Sequence, residues 1–159
     1  MHASRQRPID RYFASYSADH RNRLNQRIHV LAVPAILWSV VALLWCLPVP
    51  GTLLRTGIWA ALAMFFAWSF YNRLSRRLGL GMLATFFVFG CTCRLVEMRL
   101  GLPVLLAGAA TVFVLAWVAQ FVGHHLEGRR PSFLTDLVYL LIGPAWVMAG
   151  CYRRMGWRY

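Results

Sequence analysis

The chain has no lysine and only five acidic residues in 159. Charged residues of both signs make up 14% of it and hydrophobic residues 59%, whereas soluble domains carry about 25% charged residues. This shortage of charge, with long apolar runs, excludes an ordinary soluble domain and indicates an integral membrane protein. Cysteine is also scarce. Cys46, Cys91, Cys93 and Cys151 lie in or beside apolar runs, and no CxxC occurs. A paired-cysteine zinc site or dithiol motif is therefore excluded, and the four read as small buried apolar side chains. A signal peptide is not expected either. Residues 1–27 are polar and basic, longer than an n-region, and the next apolar run is too long for an h-region.

What the chain has in excess is arginine, which supplies all 17 basic residues and a net charge of +12. On a soluble protein that charge would point to nucleic acid. On a membrane protein it reads as basic loops kept on the cytoplasmic face, and no nucleic-acid partner is expected. The exclusive use of arginine fits a GC-rich bacterial genome, so the expected location is a bacterial inner membrane.

The apolar pattern predicts a single all-α membrane domain over residues 1–159. Residues 8–17, PIDRYFASYS, open on Pro8 and read as a short interfacial helix with Tyr12 and Tyr16 one turn apart. A break follows at 19–22, with Asp19 or Asn22 placed to cap the next helix. Four runs, 28–47, 53–71, 78–96 and 101–122, have spanning length, since a core of roughly 30 Å needs about 20 helical residues. A further run at 133–151 carries Asp136 near its start and Gly143-Pro144 at its middle. It reads as a re-entrant or surface segment, or a fifth span. With four crossings, fourteen arginines in 1–27, 72–77, 129–130 and 153–158 share one face, against Arg55, Arg94 and Arg99 on the other. This puts the N-terminal segment and the tip of the fourth span together on the cytoplasmic side.

Those two regions hold the chain's polar residues of interest. In QFVGHHLEG, Gln120, His124 and Glu127 are spaced i, i+4, i+7 and form one stripe on a helix, while His125 points elsewhere. Gly128 and Pro131 can end that helix. Near the start of the first span, Asn25 and His29 share a face at i, i+4. His20 lies nine residues before His29, about 180° away on an unbroken helix. The break at 19–22 lets the two converge. His20, His29 and His124, with Glu127 as carboxylate, have the makings of a mononuclear non-haem Fe(II) site. Asn25 and Gln120 would orient the ligands. Arg23, Arg27 and Arg129 flank both clusters and are candidates to hold a substrate carboxylate. Arg94 and Glu97 read as a local ion pair.

Two stretches carry a resemblance. YFASYSADHRNRLNQRIHVLAVP contains H-x4-N-x3-H before an apolar helix with proline, and QFVGHHLEGRRPSFLTDLVYLLIGPAW contains Q-x2-GH-x2-E and a later G-P-x-W. In this order and separation they resemble the Mpo1-like family of small membrane proteins, related to yeast 2-hydroxy fatty acid dioxygenase. The resemblance implies an Fe(II)-dependent oxygenase of fatty acid α-oxidation, with O2 as co-substrate. Such an enzyme would shorten a long-chain 2-hydroxy fatty acid by one carbon. By motif match, His20, His29 and His124 would be the iron ligands or essential histidines, with Asn25, Gln120 and Glu127 as associated polar positions. The acyl tail would stay in hydrocarbon, with the Phe86–Phe89 run as one candidate neighbour. The competing reading is a non-catalytic membrane module that binds lipid or a protein partner through its basic face.

Overall fold

Pro8 opens α1 (Pro8–Ala18), where its missing N–H leaves no helical bond unmade. In the computed structural model, which describes residues 7–50, 55–128 and 138–159, every regular element is a helix. Asn22 caps α2 (Arg23–Trp45) by accepting from the Leu24 and Asn25 N–H groups. Pro34 lies inside α2, which continues through it. Ser75 alone joins α3 (Ile58–Leu74) to α4 (Arg76–Leu100). Gly101 alone joins α4 to α5 (Leu102–Glu127), in a positive-φ conformation (86°) that suits glycine. Gly128, left-handed at φ 68°, ends α5 and donates to the His124 and His125 carbonyls. The last helix is α6 (Val138–Arg154).

Helices α2 to α5 run alternately up and down. Asn25 at the start of α2 meets Glu127 at the end of α5, while Cys46, just past the other end of α2, lies beside the Leu102 carbonyl. Trp38 and Trp45 of α2 bond Thr92 and Glu97 of α4, so these two helices run parallel. One end of the bundle is closed by Val41, Ala42, Ala60, Cys93, Leu105 and Ala109. At the opposite end α1 and α6 pack on the bundle around Ile9, Phe13, Tyr71, Leu78, Met82 and Ile142. The Tyr71 hydroxyl donates to the Leu141 carbonyl (2.9 Å) and holds α6 to α3.

Helices α2, α4 and α5 are each long and apolar enough to cross a bilayer. Only 17% of the apolar window of α5 is buried inside the protein, so most of that surface needs lipid around it. The expected count of four spans is not established by these helices, because α3 and α6 have 17 residues each. The 133–151 run takes the form of α6, with its first residues and Asp136 outside the described residues. The four cysteines form no disulfide; Cys93 is buried, Cys46 half-buried, and Cys91 and Cys151 are exposed. The exposure of these last two departs from the buried reading, because their faces of α4 and α6 are not covered by other helices. Arg94 and Glu97 form the expected local pair at 2.9 Å.

Candidate metal centre

The bend after α1 folds His20 back onto the face of α2 that carries His29. Their Nε2 atoms lie 3.0 Å apart. His124 comes from the last turn of α5, and one ring nitrogen of each histidine lies within 4.8 Å of the other two. All three are buried, His20 and His29 to 1% exposure.

The neighbours of each ring settle what its nitrogens do. His20 Nδ1 is 2.6 Å from the Tyr16 carbonyl, and His29 Nδ1 is 2.9 Å from the Asn25 carbonyl. A carbonyl only accepts, so both Nδ1 atoms carry hydrogen and donate. The neutral rings then turn two Nε2 lone pairs toward each other. Burial pushes the His20 pKa down, which disfavours a second proton as the remedy. Two buried polar atoms lining the same cavity, His124 Nδ1 and Gln120 Oε1, have no hydrogen-bond partner. Facing lone pairs and orphaned acceptors fit a cation between them. The donor set, imidazole nitrogen with an amide oxygen close by, suits Fe(II) as well as other divalent first-row metals.

Glu127 is near this group but outside it. Its Oε1 accepts from the Arg21 N–H (2.7 Å) and its Oε2 from the Asn22 N–H (3.0 Å) and Asn25 Nδ2 (2.9 Å). The expected carboxylate of the ligand set is therefore a clamp. It ties the tip of α5 to the bend that places His20, because the two free N–H groups of residues 21 and 22 point at it. Asn25 passes the constraint on: its carbonyl orients His29 while its amide holds Glu127. Gly123 lets α5 approach this closely, since a Cβ there would strike Asn25 Oδ1. His125 is exposed, as its angle on α5 requires.

A cavity of about 390 Å³ opens from the histidines along the bundle. His20, His29, His124 and Gln120 line one end; Val33, Leu37, Val40, Phe113 and Trp117 line the rest, with Leu140 and Pro144 of α6. It lies between α2, α5 and α6, not beside Phe86–Phe89. Phe86 is in the core and Phe87 is exposed on another face of α4. No arginine lines the cavity among the described residues. Arg23 and Arg27 face a different groove, because Arg27 is two residues from His29 and so about 160° around the helix. The expectation that these two hold substrate is not supported by the geometry, and Arg129 lies outside the described residues.

The sequence suggests an interfacial Tyr16, yet the residue is buried and stacks on His20 (centroids 4.1 Å, interplanar 15°). Trp146 of α6 lies 5.4 Å from the Tyr16 ring and donates to Ser17 Oγ, so it braces this corner. The i, i+4 spacing of Tyr16 and His20 was the available signal; the break after Ala18 obscured it.

Comparison with known proteins gives the family. The family model described as "2-hydroxy-palmitic acid dioxygenase Mpo1-like" matches residues 6–155. The chain belongs to the Mpo1-like family. The matched range takes in α1, the bend and all three histidines. A curated relative, the 2-hydroxy-palmitic acid dioxygenase MPO1 of Saccharomyces cerevisiae, is 29% identical over 135 residues, covering 84% of this chain and 73% of the yeast protein. No solved structure matches the chain.

Proposed function

We propose that this Mpo1-like protein is an Fe(II)-dependent membrane dioxygenase that acts on long-chain 2-hydroxy fatty acids and shortens them by one carbon, with O2 as co-substrate. The observation that carries the reading is the facing pair of His20 and His29 Nε2 atoms, joined by His124, at one end of an apolar cavity. His20, His29 and His124 would hold the iron, which when bound supplies O2 activation and chelation of the hydroxyl and carboxylate oxygens.

The protein's own groups account for the rest. The Tyr16 and Asn25 carbonyls fix the two imidazole tautomers, leaving both Nε2 atoms free of hydrogen. Gln120 Oε1, buried and without a partner, would accept a hydrogen from the substrate hydroxyl. Among the described residues the cavity walls offer the substrate carboxylate no guanidinium, so its favourable position is at the histidine end. The apolar walls take the acyl tail at about 0.8 kcal/mol per buried CH2. They also keep water from the reacting end.

The histidine end of the bundle carries Arg21, Arg23, Arg27, Arg73, Arg76, Arg77, Arg153 and Arg154, whereas Arg94 and Arg99 lie at the other. This asymmetry supports a site on the cytoplasmic face of a bacterial inner membrane. The test is elemental analysis of protein purified without chelator or polyhistidine tag, followed by an oxygen-uptake assay with 2-hydroxypalmitate. Stoichiometric iron and an O2-dependent acid one carbon shorter are expected. Protein that binds no metal, or iron-loaded protein that forms no such product, would end the proposal.

A further inference from the structure

Arg23 and Arg27 turn away from the histidines into a second groove, of about 760 Å³, between the start of α2 and the end of α6. Arg153 and Arg154 enter it from the opposite wall. Among the described residues, the lining therefore holds four guanidiniums and no carboxylate. Arg153 lies over the Tyr159 ring, 5.9 Å from its centroid. Among the described residues no carboxylate pairs with Arg23, Arg27 or Arg154. Four like charges in one groove repel one another, and an anion among them relieves the repulsion.

Apart from Gln26, beside the arginines at the start of α2, the remainder of the lining is largely apolar. Leu31, one turn below Arg27 on the same face of α2, is 76% exposed, and Val30 and Val147 continue the wall. Charge thus sits at the mouth of the groove and hydrocarbon toward the body of the bundle. A free phosphate would use only the charged part. A molecule with an anionic head and an apolar tail uses both, and guanidinium is suited to phosphate through paired hydrogen bonds.

We propose that this groove is a binding site for an anionic phospholipid of the surrounding bilayer. The phosphate head sits among Arg23, Arg27, Arg153 and Arg154, and an acyl chain runs along Leu31. The site shares no lining residue with the histidine cavity and does not depend on the dioxygenase reading.

The test uses the full chain, delipidated and placed in phosphatidylcholine nanodiscs with or without phosphatidylglycerol. Wild-type protein should retain a single phosphatidylglycerol by native mass spectrometry and melt higher when that lipid is present. Arg27→Gln with Arg154→Gln should weaken retention roughly thirty-fold, from about 1 kcal/mol lost per guanidinium near a charged membrane surface. Arg73→Gln with Arg76→Gln removes two exposed charges from the same end of the bundle and should retain lipid as the wild type does. Equal loss in both double variants would mean general surface attraction and overturn the site. Inorganic phosphate that raised the melting midpoint as much as the lipid does would overturn the choice of ligand. Should the Gln pair lower the midpoint in phosphatidylcholine alone, Arg27→Lys with Arg154→Lys decides: the retained charge should restore binding at least in part, and no restoration overturns the proposal.

Discussion

His20 and His29 face each other Nε2 to Nε2 at 3.0 Å, although nine residues separate them. On a continuous helix they would lie on opposite sides. They meet because α1 stops at Ala18, the chain turns, and Asn22 restarts a helix in a new direction. Each ring is turned by a backbone carbonyl four residues earlier, so the pair is oriented before any ligand arrives. Preorganised imidazoles of this kind lower the cost of holding a metal.

Replacing any one of His20, His29 or His124 by Ala should remove bound iron and lower turnover by at least about 100-fold, beyond the usual effect of losing a group that merely orients a ligand. Helical circular dichroism should be retained. A variant with full iron and full turnover would remove that histidine from the site.

Glu127→Gln keeps the shape of the side chain but takes away the charge that gathers the Arg21 and Asn22 N–H groups. Hydrogen bonds to charged groups are worth about 1.5–3 kcal/mol. The thermal midpoint should fall, and metal affinity should weaken by about 10- to 100-fold because the bend carrying His20 loosens. Metal titration with the midpoint unchanged in both respects would show that the clamp does not position the site.

Gly123→Ala should destabilise the protein by about 1–3 kcal/mol, as overpacking does, since the added methyl meets Asn25 Oδ1. Gly108→Ala on the same helix meets nothing within 4 Å and serves as the control. Denaturant or thermal unfolding in detergent compares the two. Equal behaviour would mean that α2 and α5 part more easily than their packing indicates.

Val40 lines the far part of the cavity, eleven residues along α2 from His29, or about 16 Å at the helical rise. Val40→Trp should shift the preference of the enzyme toward shorter 2-hydroxy acids, measured as kcat/KM across a chain-length series. A uniform loss across the series would place the acyl tail elsewhere.

Much of this architecture was legible locally. Pro8, Asn22 and Gly128 mark helix ends through backbone chemistry that belongs to one segment, and all three act as expected. The Gln120–His124–Glu127 stripe follows from helical periodicity alone, and its side chains do turn toward α2. Less legible was the part each stripe residue plays. Glu127 looked like a ligand because carboxylates accompany histidines at many metal sites, but two unpaired N–H groups of a neighbouring turn claim it. Tyr16 looked interfacial because nothing in its own segment shows that α6 covers it.

By itself, then, the amino-acid order determined an apolar helical protein, a break before the first long helix, and two clusters of polar residues at helix ends, because composition, periodicity and capping act over a few residues. Only the tertiary structure decided that three histidines converge, that Arg23 and Arg27 face another groove, and that the apolar cavity lies between α2, α5 and α6. Those outcomes depend on which helix packs against which, and the pattern within a single helix carries no record of its neighbour.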